Sequence, residues 1–306
     1  MRSVTRWVGL IVAVAGVVFV VRELVNSWDD VRDAIGDADP ALIAAAPVVG
    51  AGGMLLIGLG WRRCLAILGA RRRYVDTLYR YYVGQLGKYV PGGIWPVVGR
   101  GEMARRGGVA GSVAYGSTVL SIGVTYLAAI LIVVLALVAG AAGGDGVAWR
   151  PVAALLPVGI LALHPRVVAA VLRLLRRVSG RDLGIPVPSW GVSMGLVGLH
   201  APAWLAIGGA TWMVALAIDP SEPELLNLLF ATVLSWVVGL LVVPAPGGVG
   251  VREAVFVAAA TSLSSAGVAA AVAVTARVVF IVVDLASAGI ATLVARRLGR
   301  DAERTP

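Results

Sequence analysis

Residues 84–100 read GQLGKYVPGGIWPVVGR, and residues 243–253 read VPAPGGVGVRE. Both stretches place a Pro-Gly-Gly tripeptide in hydrophobic surroundings and follow it with charged residues. Proline ends an incoming helix because it removes a backbone donor, and glycine permits turns that other residues resist. Each stretch is therefore predicted to form a helix, a break and a second helix.

The rest of the chain has the composition of a lipid-facing protein. Of its 306 residues, 59% are hydrophobic and 14% are charged. Soluble domains carry about a quarter charged residues, so this composition excludes a water-covered globule. Several apolar stretches reach the roughly 20 residues that cross a hydrocarbon core. We predict an all-α polytopic membrane protein with about six to eight membrane segments, two of which are re-entrant broken-helix hairpins.

The charged and metal-binding residues exclude several classes of function. The net charge is +9, but the basic residues form short clusters between apolar spans, as the positive-inside bias requires, so no nucleic-acid partner is expected. The chain has one cysteine, Cys64, and two histidines, His164 and His200. We therefore expect no disulfide and no metal site. No ATP-binding loop, cofactor fingerprint or nucleophile–base arrangement is present, so we expect no cofactor and no enzymatic activity.

The signs of the loops predict the topology. Arg2 and Arg6 precede the first apolar run and an acidic loop at 23–39 follows it, which places the amino terminus in the cytosol. The first broken segment lies between two basic clusters, so it is predicted to enter from the cytosol and return there. The second is predicted to enter and return on the outside. A basic cluster at 296–300 places the carboxyl terminus in the cytosol, and the cell inner membrane is the expected location.

The two broken segments divide the chain into similar halves. Their Pro-Gly-Gly tripeptides lie about half the chain length apart, and one hairpin is predicted to enter from each side. We therefore predict an inverted repeat with halves of about 1–150 and 151–306, although the spacing of the charged residues differs between copies. Interrupted segments at corresponding positions indicate a midplane transport site. The whole chain, 1–306, is expected to be one membrane domain without a soluble catalytic domain.

The other segments are predicted from hydropathy. Ordinary spans are expected over 7–21, 40–60, 112–140, 151–163, 190–218 and 268–295, and the fourth is short for a span. Five arginines among apolar residues at 165–181 predict an amphipathic helix on the cytosolic surface. Close helix packing is expected at Gly50, Gly52, Gly53, Gly208 and Gly209.

The two predicted Pro-Gly-Gly breaks have features of a phosphate-binding site. A helix that begins in a break points unpaired N–H groups and the positive end of its dipole into it. Lys88, Arg100 and Arg252 would add positive charge, and together these groups could hold an anion inside the membrane. Tyr81 and Gln85 share a helical face with Lys88 by their spacing, which predicts a polar stripe.

Two charged residues of the last span are expected to pair with other helices. Arg277 and Asp284 lie two turns apart on one face, too far apart to pair with each other. Their candidate partners are Glu102, Arg252 and Glu253. Either substrate contact or a buried structural ion network would explain them.

Each of these signals also has a purely structural interpretation. Pro-Gly-Gly can be only a kink with close packing, and Lys88 and Arg252 can extend to an interface. Arg100 and Glu102 can face the cytosol, and His200 can be a packed interhelical hydrogen-bonding residue.

Taken together, the two quoted stretches resemble the lysylphosphatidylglycerol synthase transmembrane-region family, also called flippase-like proteins, over nearly the whole chain. The resemblance implies a flippase-like domain. Bifunctional members are associated with moving aminoacylated phospholipid between leaflets, and archaeal relatives with sugars on polyprenyl-phosphate carriers. Lysyltransferase activity is not implied, because a soluble domain makes that lipid. The family's motif positions correspond to Lys88, Pro91, Gly92, Gly93, Arg100, Pro246, Gly247, Gly248, Arg252 and Glu253.

The sequence therefore predicts a flippase for an anionic phospholipid or a polyprenyl-phosphate-linked sugar. Its expected partners are membrane lipids, with a homo-oligomer or a separate lipid-modifying enzyme left open. An integral-membrane enzyme acting on a lipid-linked sugar is one alternative, and a small-solute transporter or regulatory membrane subunit is another. The predicted substrate-binding residues are the ten motif positions together with Tyr81, Gln85, Arg277 and Asp284.

Overall fold

A computed structural model of the chain describes residues 25, 32, 36–89, 95–142, 150–179, 184–219, 221–241 and 248–304. Every regular element in these ranges is a helix. The elements are α1 (Pro40–Ile67), α2 (Tyr74–Gln85), a 3₁₀ turn (Leu86–Tyr89), α3 (Trp95–Arg106), α4 (Gly111–Val138), α5 (Arg150–Ala153), α6 (Leu155–Ala162), α7 (Pro165–Ser179), α8 (Trp190–Ile218), α9 (Leu225–Leu241), α10 (Val251–Ala259) and α11 (Ala266–Arg304). The span predicted at 7–21 lies outside the described residues.

In the described ranges, four helices are long and apolar enough to cross a membrane: α1, α4, α8 and the part of α11 from Ala266 to Leu298. They confirm the spans predicted at 40–60, 112–140, 190–218 and 268–295. The span predicted at 151–163 is different, because α6 has only eight residues and reaches a spanning length only with α7, from which it is bent by 74°. The chain is a helical multi-pass membrane protein.

Glycines set the close approach of α1 to α8. A Cβ on Gly53 would lie 2.9 Å from the carbonyl oxygen of Ala203, whereas a Cβ on Gly52 would meet no described residue within 4 Å. The same contrast separates Gly208, where a Cβ would lie 2.2 Å from Cδ1 of Leu229, from Gly209, where it would again meet no described residue within 4 Å. Two consecutive residues of a helix point in different directions, so only one of each pair can line the same helix–helix interface. The predicted close packing is confirmed at Gly50, Gly53 and Gly208, whereas the described residues provide no such contact at Gly52 and Gly209.

Adjacent alanine substitutions should separate these two roles. We expect Gly53→Ala to lower the free energy of unfolding by about 1–3 kcal/mol, because the new methyl group must push the backbone of α8 away. Gly52→Ala should leave it unchanged or raise it, since alanine favours a helix over glycine by up to about 1 kcal/mol. Denaturant unfolding in mixed micelles measures both. Equal effects of the two substitutions would contradict the packing described.

A column of aromatic rings runs through the middle of the helix bundle. Tyr126 of α4, Trp204 of α8, Trp236 of α9 and Phe280 of α11 contact one another in that order, edge to face, with centroid distances of 5.6–5.7 Å. The Trp204 indole also donates a hydrogen bond to the carbonyl of Thr125 at 2.7 Å. Such pairs fix the relative rotation of helices beyond simple burial, and this column positions Trp236 at the candidate site.

The buried side-chain amide of Asn227 links the end of α10 to neighbouring segments by hydrogen bonds. The Nδ2 of Asn227 donates to the carbonyls of Ala141 at 2.7 Å and Ala259 at 3.1 Å, while its Oδ1 accepts from the backbone of Ser262 at 3.1 Å. Asp219 accepts from the backbone of Ser264 at 2.8 Å. These bonds replace water for backbone groups that would otherwise be buried without partners. They hold α9, α10 and the turn into α11 in one arrangement.

Candidate functional site

The first broken segment is folded back on itself. On either side of residues 90–94, which are not described, α2 with its 3₁₀ turn lies antiparallel to α3. A Cβ on Gly84 would lie 2.7 Å from the backbone nitrogen of Arg100, and one on Gly87 would lie 2.7 Å from the carbonyl oxygen of Trp95. A Cβ on Gly99 would lie 2.6 Å from the Gly84 carbonyl oxygen. Only glycine allows this backbone-to-backbone contact. We call residues 74–89 and 95–106 the first hairpin.

The second broken segment has a similar contact between α9 and α10. A Cβ on Gly239 would lie 2.4 Å from Cγ of Arg252 and 3.7 Å from Cα of Gly248. Gly248 and Gly250 have φ values of 71° and 78°, a region that favours glycine. The side chain of Glu253 accepts from the backbone N–H of Gly250 at 2.7 Å and so closes the first turn of α10. We call residues 225–241 and 248–259 the second hairpin.

Each hairpin places an arginine over an aromatic ring in the same way. In the first, Arg100 packs on Gly84, and its guanidinium carbon lies 5.5 Å from the ring centre of Tyr81. In the second, Arg252 packs on Gly239, and its guanidinium carbon lies 3.7 Å from the ring centre of Trp236. The aromatic residue precedes the glycine by three positions in both, so ring and glycine share one helical face.

Two ion pairs tie the hairpins to α11. The Nζ of Lys88 lies 2.5 Å from Oδ2 of Asp284, and the hydroxyl of Tyr89 donates to the same oxygen at 2.5 Å. Arg277 pairs with Glu253 of the second hairpin. Both carboxylates are buried, and both are occupied by cations. The first hairpin, the second hairpin and the last span therefore meet in one charged cluster.

Positive charge exceeds negative charge in these contacts. Four cations, Lys88, Arg100, Arg252 and Arg277, stand against two carboxylates, Glu253 and Asp284. Arg252 forms no ion pair or hydrogen bond with any residue in the described ranges, and its Nε is buried. Arg100 is buried, and the hydrogen bond described for it is a long one to the Pro96 carbonyl, 3.4 Å. Unpaired cations inside a membrane are expensive and usually functional.

A small cavity adjoins Arg252. Its volume is about 30 Å³, and a water molecule needs about 10–15 Å³, so a lipid headgroup enters only if side chains or hairpins move. Hydroxyl groups and both members of an ion pair face it. The lining includes Thr211, Thr232, Ser235, Trp236, Arg252, Glu253, Arg277 and Phe280.

Most of the predicted site residues that the structure describes meet here. Lys88, Gly248, Arg252, Glu253, Arg277 and Asp284 belong to the cluster around Trp236. Tyr81 lies under Arg100, and the Oε1 of Gln85 is buried without a hydrogen-bond partner in the described part of the chain. Pro91, Gly92, Gly93, Pro246 and Gly247 lie outside the described residues.

Three expectations need correction. The polar stripe is interrupted, because α2 ends at Gln85 and the 3₁₀ turn directs Lys88 to α11 instead. Asp284 pairs with Lys88, which was not among its suggested partners, while the suggested pair of Arg277 with Glu253 is confirmed. Glu102 belongs to neither pair. Hydrogen bonds from Arg105 and Arg106 hold it at the surface and lower its pKa to about 2.

Sequence reasoning missed Trp236 and Tyr89. Trp236 contacts both Lys88 and Arg252, with Lys88 Nζ 5.7 Å from the ring centre. A signal was present, since each hairpin carries an aromatic residue three positions before a glycine ahead of its Pro-Gly-Gly. In an apolar helix, however, a tryptophan is more simply interpreted as a packing residue.

The comparison with known families agrees with this architecture. A family model described as lysylphosphatidylglycerol synthase TM region matches residues 6–288, which include both hairpins and most of the four spans. No curated protein matches the chain by sequence. The match covers far more than half of the chain, and the protein belongs to the lysylphosphatidylglycerol synthase transmembrane-region family.

Proposed function

We propose that the protein moves an anionic lipid headgroup, of a phospholipid or a polyprenyl-phosphate-linked sugar, between the two membrane leaflets. One observation carries the proposal. Arg252 of the second hairpin lines a cavity together with residues of α8, α9 and α11, and its guanidinium forms no ion pair with an acidic residue in the described ranges. A phosphate would supply the missing negative charge and accept the planar fork of N–H donors. The transfer would leave the covalent structure of the lipid unchanged.

The charge balance favours an anionic headgroup over a cationic one. Glu253 and Asp284 are already bound by Arg277 and Lys88, so an ammonium group would find neither carboxylate free. It would also meet the excess positive charge of the cluster. A net negative phospholipid or glycosyl phosphate fits this site better than an aminoacylated lipid does.

The two hairpins are, in this proposal, re-entrant elements of an inverted repeat within one domain of residues 1–306. The matching placement of Arg100 over Tyr81 and of Arg252 over Trp236 supports a common origin of the two halves. With both hairpins counted, the protein has six to eight membrane segments. Basic residues at the ends of α1 and α3 support a cytosolic side for those ends and, with the last basic cluster, cytoplasmic termini in the inner membrane.

Movement of the hairpins relative to each other would open the path. A headgroup is much larger than the present cavity, and the glycine contacts within each hairpin make each a rigid unit. Rocking one rigid element against the other around a fixed site is a common way for transporters with repeats to alternate access. The Lys88–Asp284 contact joins the first hairpin to α11 and would have to break or move with it.

Reconstitution into liposomes tests the proposal. Purified protein is incorporated with headgroup-labelled phosphatidylglycerol, lysylated phosphatidylglycerol or a polyprenyl-phosphate sugar, and the label is bleached from outside. We expect protein-dependent bleaching of the inner pool for an anionic lipid and much less for the lysylated one. Lipid extraction and mass spectrometry of the same liposomes monitor chemical change.

Two outcomes would contradict the proposal. Conversion of a lipid without translocation would favour an integral-membrane enzyme, which is the first alternative. Absence of both translocation and conversion, with small anions released from the liposomes, would favour a small-solute transporter. Protein-free liposomes and liposomes with heat-inactivated protein provide the background.

A further inference from the structure

One carboxylate oxygen, Oδ2 of Asp284, binds two side chains of the 3₁₀ turn in the first hairpin. Asp284 is 3% exposed, and its Oδ2 is 2.5 Å from Lys88 Nζ and 2.5 Å from the Tyr89 hydroxyl oxygen. Both partners belong to the 3₁₀ turn, directly before residues 90–94. Asp284 itself is on the membrane-spanning part of α11. The two polar side chains of this turn therefore share a single buried anionic group.

Lys88 also belongs to the site proposed for the headgroup phosphate. Its Nζ and the guanidinium carbon of Arg252 lie 5.7 Å and 3.7 Å from the centre of the same Trp236 ring. The two cations are close enough to act on each other electrostatically. A phosphate drawn to Arg252 would compete with Asp284 for the Lys88 ammonium group.

The competition has a consequence for Asp284. If Lys88 turns to the phosphate, Asp284 keeps no cationic partner and is still buried in the membrane. An ionised carboxylate that is buried without a cation is strongly disfavoured relative to the neutral acid. A protonated Asp284 could still form a hydrogen bond with the Tyr89 hydroxyl, as donor or as acceptor.

On the basis of the proposed function, we propose that Asp284 is a proton-binding site coupled to the headgroup, and that each bound phosphodiester brings one proton onto its carboxylate. An O–H bond forms at Asp284 with a proton taken from solution, while Lys88 exchanges the carboxylate for the phosphate. The net charge of the site with its ligand is then the same as before binding. Deprotonation on the opposite side restores the Lys88–Asp284 pair and releases the headgroup.

The groups around Asp284 support this assignment over one to Glu253. Lys88 and Tyr89 contact Asp284 directly, and Tyr81 and Tyr82 of α2 are close enough to interact with it electrostatically. On α11, Arg277 is engaged by Glu253 of α10. Glu253 also accepts from the backbone of Gly250. Glu253 is therefore bound by two separate groups, whereas Lys88 is the one cation paired with Asp284 in the described ranges.

Calorimetry of ligand binding counts the protons. Dioctanoyl phosphatidylglycerol, a water-soluble phosphodiester with one negative charge that does not titrate near neutral pH, is titrated into the full chain in an uncharged detergent. The heats are compared between buffers of different ionisation enthalpy. We expect uptake of about one proton per bound lipid, and a dissociation constant that rises with pH, by about tenfold per pH unit wherever one full proton is taken up.

Two variants provide the comparison. Asp284→Asn should bind the lipid with proton uptake near zero and a flat pH profile. Asp76→Asn removes a carboxylate that pairs with Arg80 outside the site and should behave as the wild type does. If Asp284→Asn does not fold, the pH slope of the wild type alone decides.

The outcomes separate the coupling from the proposed function. Lipid binding to the wild type without proton uptake, or with an equal pH slope in Asp284→Asn, would overturn the coupling and leave anion transport standing. Failure of the wild type to bind the lipid at any pH would overturn both.

Discussion

Replacing Arg252 with glutamine is expected to slow translocation of an anionic headgroup by about tenfold to a hundredfold. A hydrogen bond to a charged group is worth about 1.5–3 kcal/mol, and about 1.4 kcal/mol corresponds to a factor of ten. Arg252→Lys should be intermediate, because lysine keeps the charge but loses the planar fork and the stacking on Trp236. The liposome assay with labelled phosphatidylglycerol measures the three rates.

The same substitution should not weaken the fold. Arg252 has no ion pair or hydrogen bond with the described residues, so its removal leaves no carboxylate behind. The free energy of unfolding should remain the same or rise, because an unpaired cation inside the membrane is itself unfavourable. Arg173→Gln, at an exposed arginine of α7, is the matched control and should transport normally. Wild-type transport by Arg252→Gln would remove the basis of the proposed site.

Replacing Glu253 with alanine is expected to lower the stability of the fold strongly, whereas replacing Arg252 is expected to slow transport. We expect the free energy of unfolding to fall by about 3–5 kcal/mol, because Arg277 is left as an unpaired cation in a largely buried position. The backbone N–H of Gly250 also loses the oxygen that closes the first turn of α10. Denaturant unfolding in mixed micelles, followed by circular dichroism, measures the loss.

A double substitution distinguishes loss of the pair from loss of the carboxylate alone. Glu253→Gln combined with Arg277→Gln removes both charges, keeps an acceptor for Gly250 and should lose much less stability than Glu253→Ala. Removal of a whole buried pair is often nearly neutral, whereas removal of one partner is not. If the single and double variants lost the same free energy of unfolding, an unpaired Arg277 would not be the cause of the instability of Glu253→Ala.

The two arginines of this region therefore have separate roles. Arg277 is neutralised by Glu253, and the pair joins the second hairpin to α11. Arg252, one residue before Glu253 in the chain, lies over Trp236 and forms no ion pair with a described residue. Neighbouring residues on a helix point in different directions, so one can stabilise the structure while the other remains available to a ligand.

Several features of the protein follow from local sequence signals. Long apolar runs predicted the four spans, because the thickness of the hydrocarbon core fixes the length of a spanning helix. Pro-Gly-Gly predicted two places where one helix ends and another begins, between Gln85 and Trp95 and between Leu241 and Val251, since proline and glycine act on the backbone beside them. Arg277 was expected to pair with another helix because its neighbour on the same face, Asp284, is too far along the axis.

The pairing of side chains between helices is decided by rotation and by close approach, which depend on the whole bundle. The sequence by itself determined that the chain is a helical membrane protein of this family, with interrupted segments and basic residues beside them. Only the tertiary structure decided that Lys88 binds Asp284, that Trp236 lies under Arg252, and that Gly53 rather than Gly52 meets α8. The physical reason is that hydropathy and backbone propensity are summed along the chain, whereas a contact between helices depends on which face each one turns to its neighbour.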